Sequence, residues 1–310
     1  MATVAGAFVE HGIVYLGRPN HVRLANRKIE LLLSTDYGPR IIRCAPIGGD
    51  NLLAEIPPPA GNPTPFGEAW HPYGGHRLWH APEDPVRTYF PDNRPIAVSH
   101  RDRAIALTQE VEGNTQLRKS LEITLDPEAP RVTVVHRIEN AGSFEVELAL
   151  WALTMMAPGG IGLFPNAPYK PFPEQLVPAR PLVLWSYTRI TDRRWTWGDR
   201  LFQLRQDPGR RDPQKIGFYN AEGWLAYRRA DVLFLKRFDP APGPHADFGC
   251  NTETFTNHEM LELETLSPLV RIAPGASAEH VERWWIEAGV DFGEGEDGVW
   301  SAVERALQEA

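Results

Sequence analysis

The chain has 310 residues, 42% hydrophobic and 23% charged, the balance of a folded globular protein rather than a disordered one. Its formal net charge of -8 argues against nucleic acid or an anionic membrane as partner, because neutralising phosphate needs clustered Lys and Arg. Arg193, Arg194, Arg210 and Arg211 come nearest to a cluster, and acids surround them. The two cysteines, Cys44 and Cys250, show no metal-binding spacing, no apolar run reaches the roughly 18 residues of a membrane span, and the first ten residues carry no basic leader; a cytoplasmic location is expected.

Short β-branched and leucine-rich runs between turn residues predict strands at 13–16, 21–24, 28–33 and 40–44. Residues 56–72 hold Pro57, Pro58, Pro59, Pro63, Pro65 and Pro72, whose missing N–H groups and fixed φ predict an ordered surface loop. That loop delivers the chain to Gly74-Gly75-His76-Arg77-Leu78-Trp79-His80-Ala81-Pro82-Glu83. Strands follow at 96–100, 104–111, 116–125, 131–139 and 144–153, then a second Pro/Gly-rich loop at 158–181. Further strands are predicted at 182–187, 201–204, 216–219, 223–227, 232–238, 257–266, 269–272 and 280–288. In 232–238 the alternation turns cationic at Lys236 and Arg237, so that end is expected to meet a cleft or solvent. Helical spacing is confined to 297–308, where Val299, Trp300, Val303, Ala306 and Leu307 share a stripe. Regular turn signals without helical periodicity between them predict an all-β antiparallel sandwich with a short C-terminal helix. No linker or repeat divides the chain, so residues 1–310 are expected to form one domain.

If 76–80 is extended, His76, Leu78 and His80 share one face while Arg77 and Trp79 share the other. A forked donor beside a flat apolar ring suits a polyhydroxylated ligand; the alternative is an Arg77–Glu83 ion pair with Trp79 as core. In 257–266, Leu261 and Leu263 face one side while Glu262 and Glu264 face the other with His258 and Met260. Like charges two residues apart raise one another's pKa, which suits a general base; the alternative is a solvated sheet face. His71, His76, His80 and Glu83 can ligate metal, but their spacing matches no metal motif. No serine elbow, catalytic cysteine context or phosphate-cradling loop occurs, so no metal and no cofactor are expected.

Three blocks resemble the galactose mutarotase-like (aldose 1-epimerase-like) superfamily, across roughly residues 28–288. They are Asp36-Tyr37-Gly38-Pro39-Arg40-Ile41 with Gly48-Gly49-Asp50-Asn51-Leu52-Leu53; Gly75-His76-Arg77-Leu78; and Leu263-Glu264-Thr265 with Pro268, Ala273-Pro274-Gly275 and the run from Trp284 to Ile286. The resemblance implies a mutarotase-like β-supersandwich that binds a small carbohydrate on its concave face, with Arg77 contacting sugar and Glu264 as general base. Mutarotases carry a histidine acid on the strand that here reads Leu148-Ala149-Leu150-Trp151-Ala152-Leu153-Thr154, where Trp151 stands in its place. Ring opening needs a base and an acid, so the acid would have to come from His76, His80 or His258. The expected function is a carbohydrate-binding, mutarotase-like protein, an epimerase or mutarotase with Glu264 as base and His80 or His76 as acid. Arg77, Trp79, Glu262, Trp151 and His258 are the expected sugar contacts. The alternative is a non-catalytic carbohydrate-binding protein, with polysaccharide lyase or hydrolase third.

Overall fold

A computed structural model describes residues 2–4, 7–57, 61–101 and 103–310; Met1, and Pro58 and Pro59 of the predicted proline loop, lie outside the described residues. The strands run β1 Ala2–Val4, β2 Ala7–Tyr15, β3 Arg18–Ala25, β4 Ile29–Leu33, β5 Ile41–Pro46, β6 Gly75–Ala81, β7 Ala97–Arg101, β8 Ala104–Thr108, β9 Leu117–Leu125, β10 Arg131–Asn140 and β11 Val146–Met156. They continue as β12 Ile161–Pro165, β13 Leu182–Leu184, β14 Trp195–Trp197, β15 Leu201–Arg205, β16 Gln214–Phe218, β17 Trp224–Arg229, β18 Val232–Phe238, β19 Thr252–Thr256, β20 Leu261–Leu266, β21 Val270–Ile272 and β22 Ser277–Glu287. The four-residue α1, Ala246–Gly249, contains two positive-φ non-glycine residues, Asp247 and Phe248, and is a tight turn; α2, Gly295–Glu309, is the C-terminal helix. Among the described residues no helix is long and apolar enough to cross a membrane.

The strands form two antiparallel sheets. The first is ordered β1-β2-β3-β4-β5-β6-β11-β20-β19-β16-β13, with β21 also on β11, and the second β14-β15-β12-β17-β18-β22-β10-β9-β8-β7. Alternation drives the layering: β9 is buried at every second residue from Leu117 to Leu125, so one face turns inward and the other to solvent. Leu33, Leu78, Leu121, Leu150, Phe234, Leu263 and Trp284 meet between the sheets. The apolar stripe of α2, with Val299, Val303 and Ala306, covers the outer face of the second sheet at Leu163, Leu233 and Trp285.

Several elements differ from the sequence reading. The predicted strand 257–266 begins only at Leu261, because the Asn257 side chain accepts the N–H groups of Glu259 (2.8 Å) and Met260 (3.1 Å) and closes a hairpin turn there. The preceding Thr-Glu-Thr-Phe-Thr is the separate strand β19, and β12 runs inside the stretch read as one long loop. Lys236 does not reach a cleft or solvent: it is fully buried, 2.9 Å from Glu282 and 3.1 Å from the Leu263 carbonyl. The proline loop is not only surface, since Trp70 is buried against Trp79 with ring centroids 5.3 Å apart.

Gly74 and Gly75 sit where that loop enters β6. Both have positive φ, and a Cβ would lie 1.9 Å from the Ala54 carbonyl oxygen at Gly74 and 2.3 Å from that of Ile41 at Gly75. Only glycine lets the chain cross β5 this closely, and that crossing fixes which face each following side chain takes.

Candidate functional site

Strand register builds the site across the middle of the first sheet. On one face Arg77 of β6, Leu153 of β11, Glu264 of β20 and Glu253 of β19 form a single cross-strand row. The adjacent row runs Met155, Glu262, Phe255 and Lys215, and Trp79 and Trp151 pair on the row to the other side. With Trp70, Tyr89 and Tyr187, these residues other than Glu253 and Glu264 line a cleft of ≈ 370 Å³ on the outer face of the sheet.

Arg77 is buried at the floor. Its guanidinium lies 4.1 Å from the Trp79 ring centroid and 5.0 Å from that of Trp70. Its hydrogen bonding is poor for a five-donor group: Nη1 donates to the Met155 sulfur at 3.0 Å, Nη2 stands 3.7 Å from Glu262 Oε1, and Nε has no partner. Glu262 Oε1 also lacks a hydrogen-bond partner. Burial, then the neighbouring Glu264 charge, raises the Glu262 pKa to about 7 against the opposing pull of Arg77 and Lys215. Burial brings Arg77 down to about 10.

Glu264 lies behind this pair, fully buried. Its Oε2 accepts from Trp151 Nε1 at 2.9 Å and from Lys215 Nζ at 3.1 Å. Lys215 Nζ is also 2.7 Å from Glu253 Oε2, an ion pair without hydrogen-bond alignment, and sits 4.8 Å from the Trp151 and Trp185 rings. Desolvation works against the Lys215 ammonium, but Glu253 and Glu264 outweigh it and hold its pKa well above the ordinary lysine value. Burial drives Glu253 well above the carboxylate range despite Lys215.

The other face of β6 turns away from the cleft. His76 is fully buried between the sheets, its Nε2 2.7 Å from His136 Nε2 and its Nδ1 2.8 Å from Thr154 Oγ1. His136 Nδ1 lies 2.9 Å from the His280 carbonyl, which can only accept, so Nδ1 carries the proton; His136 Nε2 then accepts from His76, and His76 Nδ1 accepts from Thr154. Burial keeps all three histidines below the ordinary histidine pKa, consistent with neutral rings. Ligand atoms of His76, His136 and Glu282 lie within 4.8 Å of one another, but Glu282 is bound by Lys236, by Thr265 at 2.6 Å and by Trp284 at 2.9 Å, so hydrogen bonds close the group.

The sequence-predicted residues therefore divide. Arg77, Trp79, Trp151 and Glu262 line the cleft; Glu264 stands behind it under Lys215 and Trp151. His76 and His80, expected as acids, are not among the lining residues. His80 is buried on the inner face with neither ring nitrogen bonded, and burial lowers its pKa to about 2. His258 lies in the β19–β20 turn and does not line the cleft, its neighbours Asn257 and Glu259 doing so. Glu83 is at the cleft bonded by Tyr89, whereas His76 and His80 point inward, so the ligating group His71, His76, His80 and Glu83 does not converge. Sequence reading missed Lys215 and Glu253. Alternation in Thr-Glu-Thr-Phe-Thr was the available signal for Glu253, while Lys215 in Gln-Lys-Ile-Gly-Phe carries none of its own.

No protein-family profile and no curated protein matches the sequence. Solved structures do. A galactose mutarotase-like protein from Lactobacillus casei superposes with a TM-score of 0.56 at 11% identity, over 86% of this chain and 100% of that one. A galactose mutarotase related enzyme from Lactobacillus acidophilus gives 0.53 at 9% identity, over 87% and 98%. A galactose mutarotase-like protein from Clostridium acetobutylicum gives 0.51 at 10% identity, over 91% and 99%. The chain has the galactose mutarotase-like fold.

Proposed function

We propose that this protein binds a small neutral carbohydrate in the cleft of the first sheet, without the acid–base pair that mutarotation requires. The observation that carries this reading is the buried Arg77–Glu262 pair, whose Nε and Oε1 atoms lack partners beneath walls of Trp70, Trp79 and Trp151. One sugar hydroxyl can accept from the guanidinium and donate to the carboxylate, while the aromatic rings take the C–H face. The charges favour a neutral ligand: Glu83, Glu259 and Glu262 line the cleft against Arg77 and Lys215, and Lys215 already faces Glu253 and Glu264. Glu264 is a poor candidate base, because Trp151 and Lys215 engage it and, among the described residues, no histidine lines the cleft.

Titration of tryptophan fluorescence with neutral, acidic and amino monosaccharides tests the reading. Saturable change with neutral pyranoses and weaker response to uronic acids are expected; no response at millimolar sugar overturns it. A second reading, isomerisation, is favoured by one observation, the near-neutral pKa of Glu262 in the cleft. Proton NMR exchange between anomers separates the two: acceleration over buffer that disappears in Glu262→Gln supports isomerisation, and an unaltered rate supports binding alone.

A further inference from the structure

The outer face of the second sheet carries a second polar cleft. Its basis is again register. Ile161 of β12 pairs with Arg205 on β15 and with Arg228 on β17. The Arg205 N–H donates to the Arg194 carbonyl at 2.9 Å, which sets Arg194 opposite Arg205 one residue before β14. Arg194, Arg205 and Arg228 thus stand in one cross-strand row, and directly opposed residues project from the same face. With Arg193 they line a cleft of ≈ 580 Å³. Arg193, Arg194 and Arg205 also border an adjoining cleft of ≈ 320 Å³ with Arg189 and Arg210.

The acids nearby already have partners, Asp192 within the cluster itself. Asp192 is held by Arg194, with Nε at 3.0 Å and Nη2 at 2.9 Å, and lies 3.8 Å from Arg210. Glu296 accepts the backbone N–H groups of Asp199, Arg200 and Leu201 at 3.1, 2.7 and 2.9 Å. Asp207 caps its own turn at Gly209. Among the described residues Arg193, Arg205 and Arg228 have no carboxylate partner. Arg194, 2% exposed, keeps Nη1 without a partner, and Arg228 keeps Nε without one. Like charges placed opposite one another repel, and a buried guanidinium nitrogen without an acceptor is costly, so an anion bound between Arg205 and Arg228 would relieve both.

We propose that Arg193, Arg194, Arg205 and Arg228 form a binding site for a phosphoryl group. Its tetrahedral oxygens can accept from several planar guanidinium forks at once, which a single carboxylate cannot do as fully. Neighbouring strands are about 4.8 Å apart, so Arg205 and Arg228, two strands apart, flank a gap of roughly 10 Å that two arginine side chains and one phosphoryl group can span. The overall charge of -8 repels anions, so affinity has to come from this local constellation.

Calorimetric titration of the full chain with inorganic phosphate, and separately with glycerol phosphate, tests the proposal. Saturable binding of either probe is expected, weakened about tenfold or more in Arg205→Ala and in Arg228→Ala, both with unchanged circular dichroism. Tighter binding of the ester identifies a phosphorylated ligand as the occupant; equal or tighter binding of inorganic phosphate identifies the free anion. No binding at about 10 mM probe, or binding that both substitutions leave unaltered, overturns the proposal. The second result places the phosphate elsewhere on the molecule. Sugar binding by Arg205→Ala is unaffected in every case, so this site and the carbohydrate reading stand or fall separately.

Discussion

Arg77 and Glu262 face one another across 3.7 Å at the floor of the cleft, near enough to attract and too far apart to hydrogen-bond. The separation leaves Glu262 Oε1 and Arg77 Nε open on buried side chains. Filling the gap with a hydroxyl satisfies both, which makes the pair a receptor for a group that donates and accepts together.

Glu262 gives the site a pH signature. Its folded pKa of about 7 lies above the ordinary 4.5, so between those values the native state holds a proton that the unfolded chain has released. Stability therefore falls as pH rises through that window, by up to about 3 kcal/mol. In Glu262→Gln the slope flattens, seen as urea midpoints at pH 5 and 8 that lie closer together than in the wild type. Sugar affinity should move oppositely in the wild type, rising from pH 6 to 8 as the carboxylate ionises and can accept the hydroxyl proton, with no such rise in Glu262→Gln.

Lys215 holds Glu253 and Glu264 together, two carboxylates directly opposed on β19 and β20. Lys215→Met leaves both buried without a counter-charge and should cost about 3–5 kcal/mol near neutral pH. Glu253, which burial already raises well above the carboxylate range, takes up a proton more readily as pH falls, so the deficit should shrink in acid. Chemical denaturation at pH 5 and pH 8 reads the difference; an equal deficit at both contradicts the triad.

His80 is buried with neither ring nitrogen bonded. Its folded pKa of about 2 lies below the ordinary 6.5, so in acid the unfolded chain binds a proton that the native state refuses, and stability falls as pH drops below 6.5. Loss from this residue alone is about 1.4 kcal/mol per pH unit. His80→Leu should remove that share, leaving stability at pH 7 unchanged or higher and the melting temperature at pH 5 higher than in the wild type.

Much of the architecture was legible because two-residue alternation is a local property. The pattern in 117–125 marks β9, and the alternation in 76–80 separates Arg77 and Trp79 from His76, Leu78 and His80. Alternation cannot say which of two faces borders a cleft, so it leaves His80 open as an acid for the site although it points between the sheets. It also cannot reveal long-range neighbours. Lys215 meets Glu264 because β19 brings the strands together in the sheet, and β19 itself was overlooked beside the longer 257–266 run. Trp70 escaped notice because prolines dominate its loop, although its ring centroid lies 5.0 Å from the Arg77 guanidinium.

The central claim is that a sugar hydroxyl bridges Arg77 and Glu262, and a crystal structure with a bound neutral monosaccharide at pH 8 tests it most directly. A hydroxyl oxygen within hydrogen-bonding distance of both Arg77 and Glu262 Oε1, about 2.7–3.2 Å, with the sugar ring against Trp79 or Trp70, is predicted. Sugar bound elsewhere on the molecule, or in the cleft with Glu262 Oε1 still unpartnered, would contradict it.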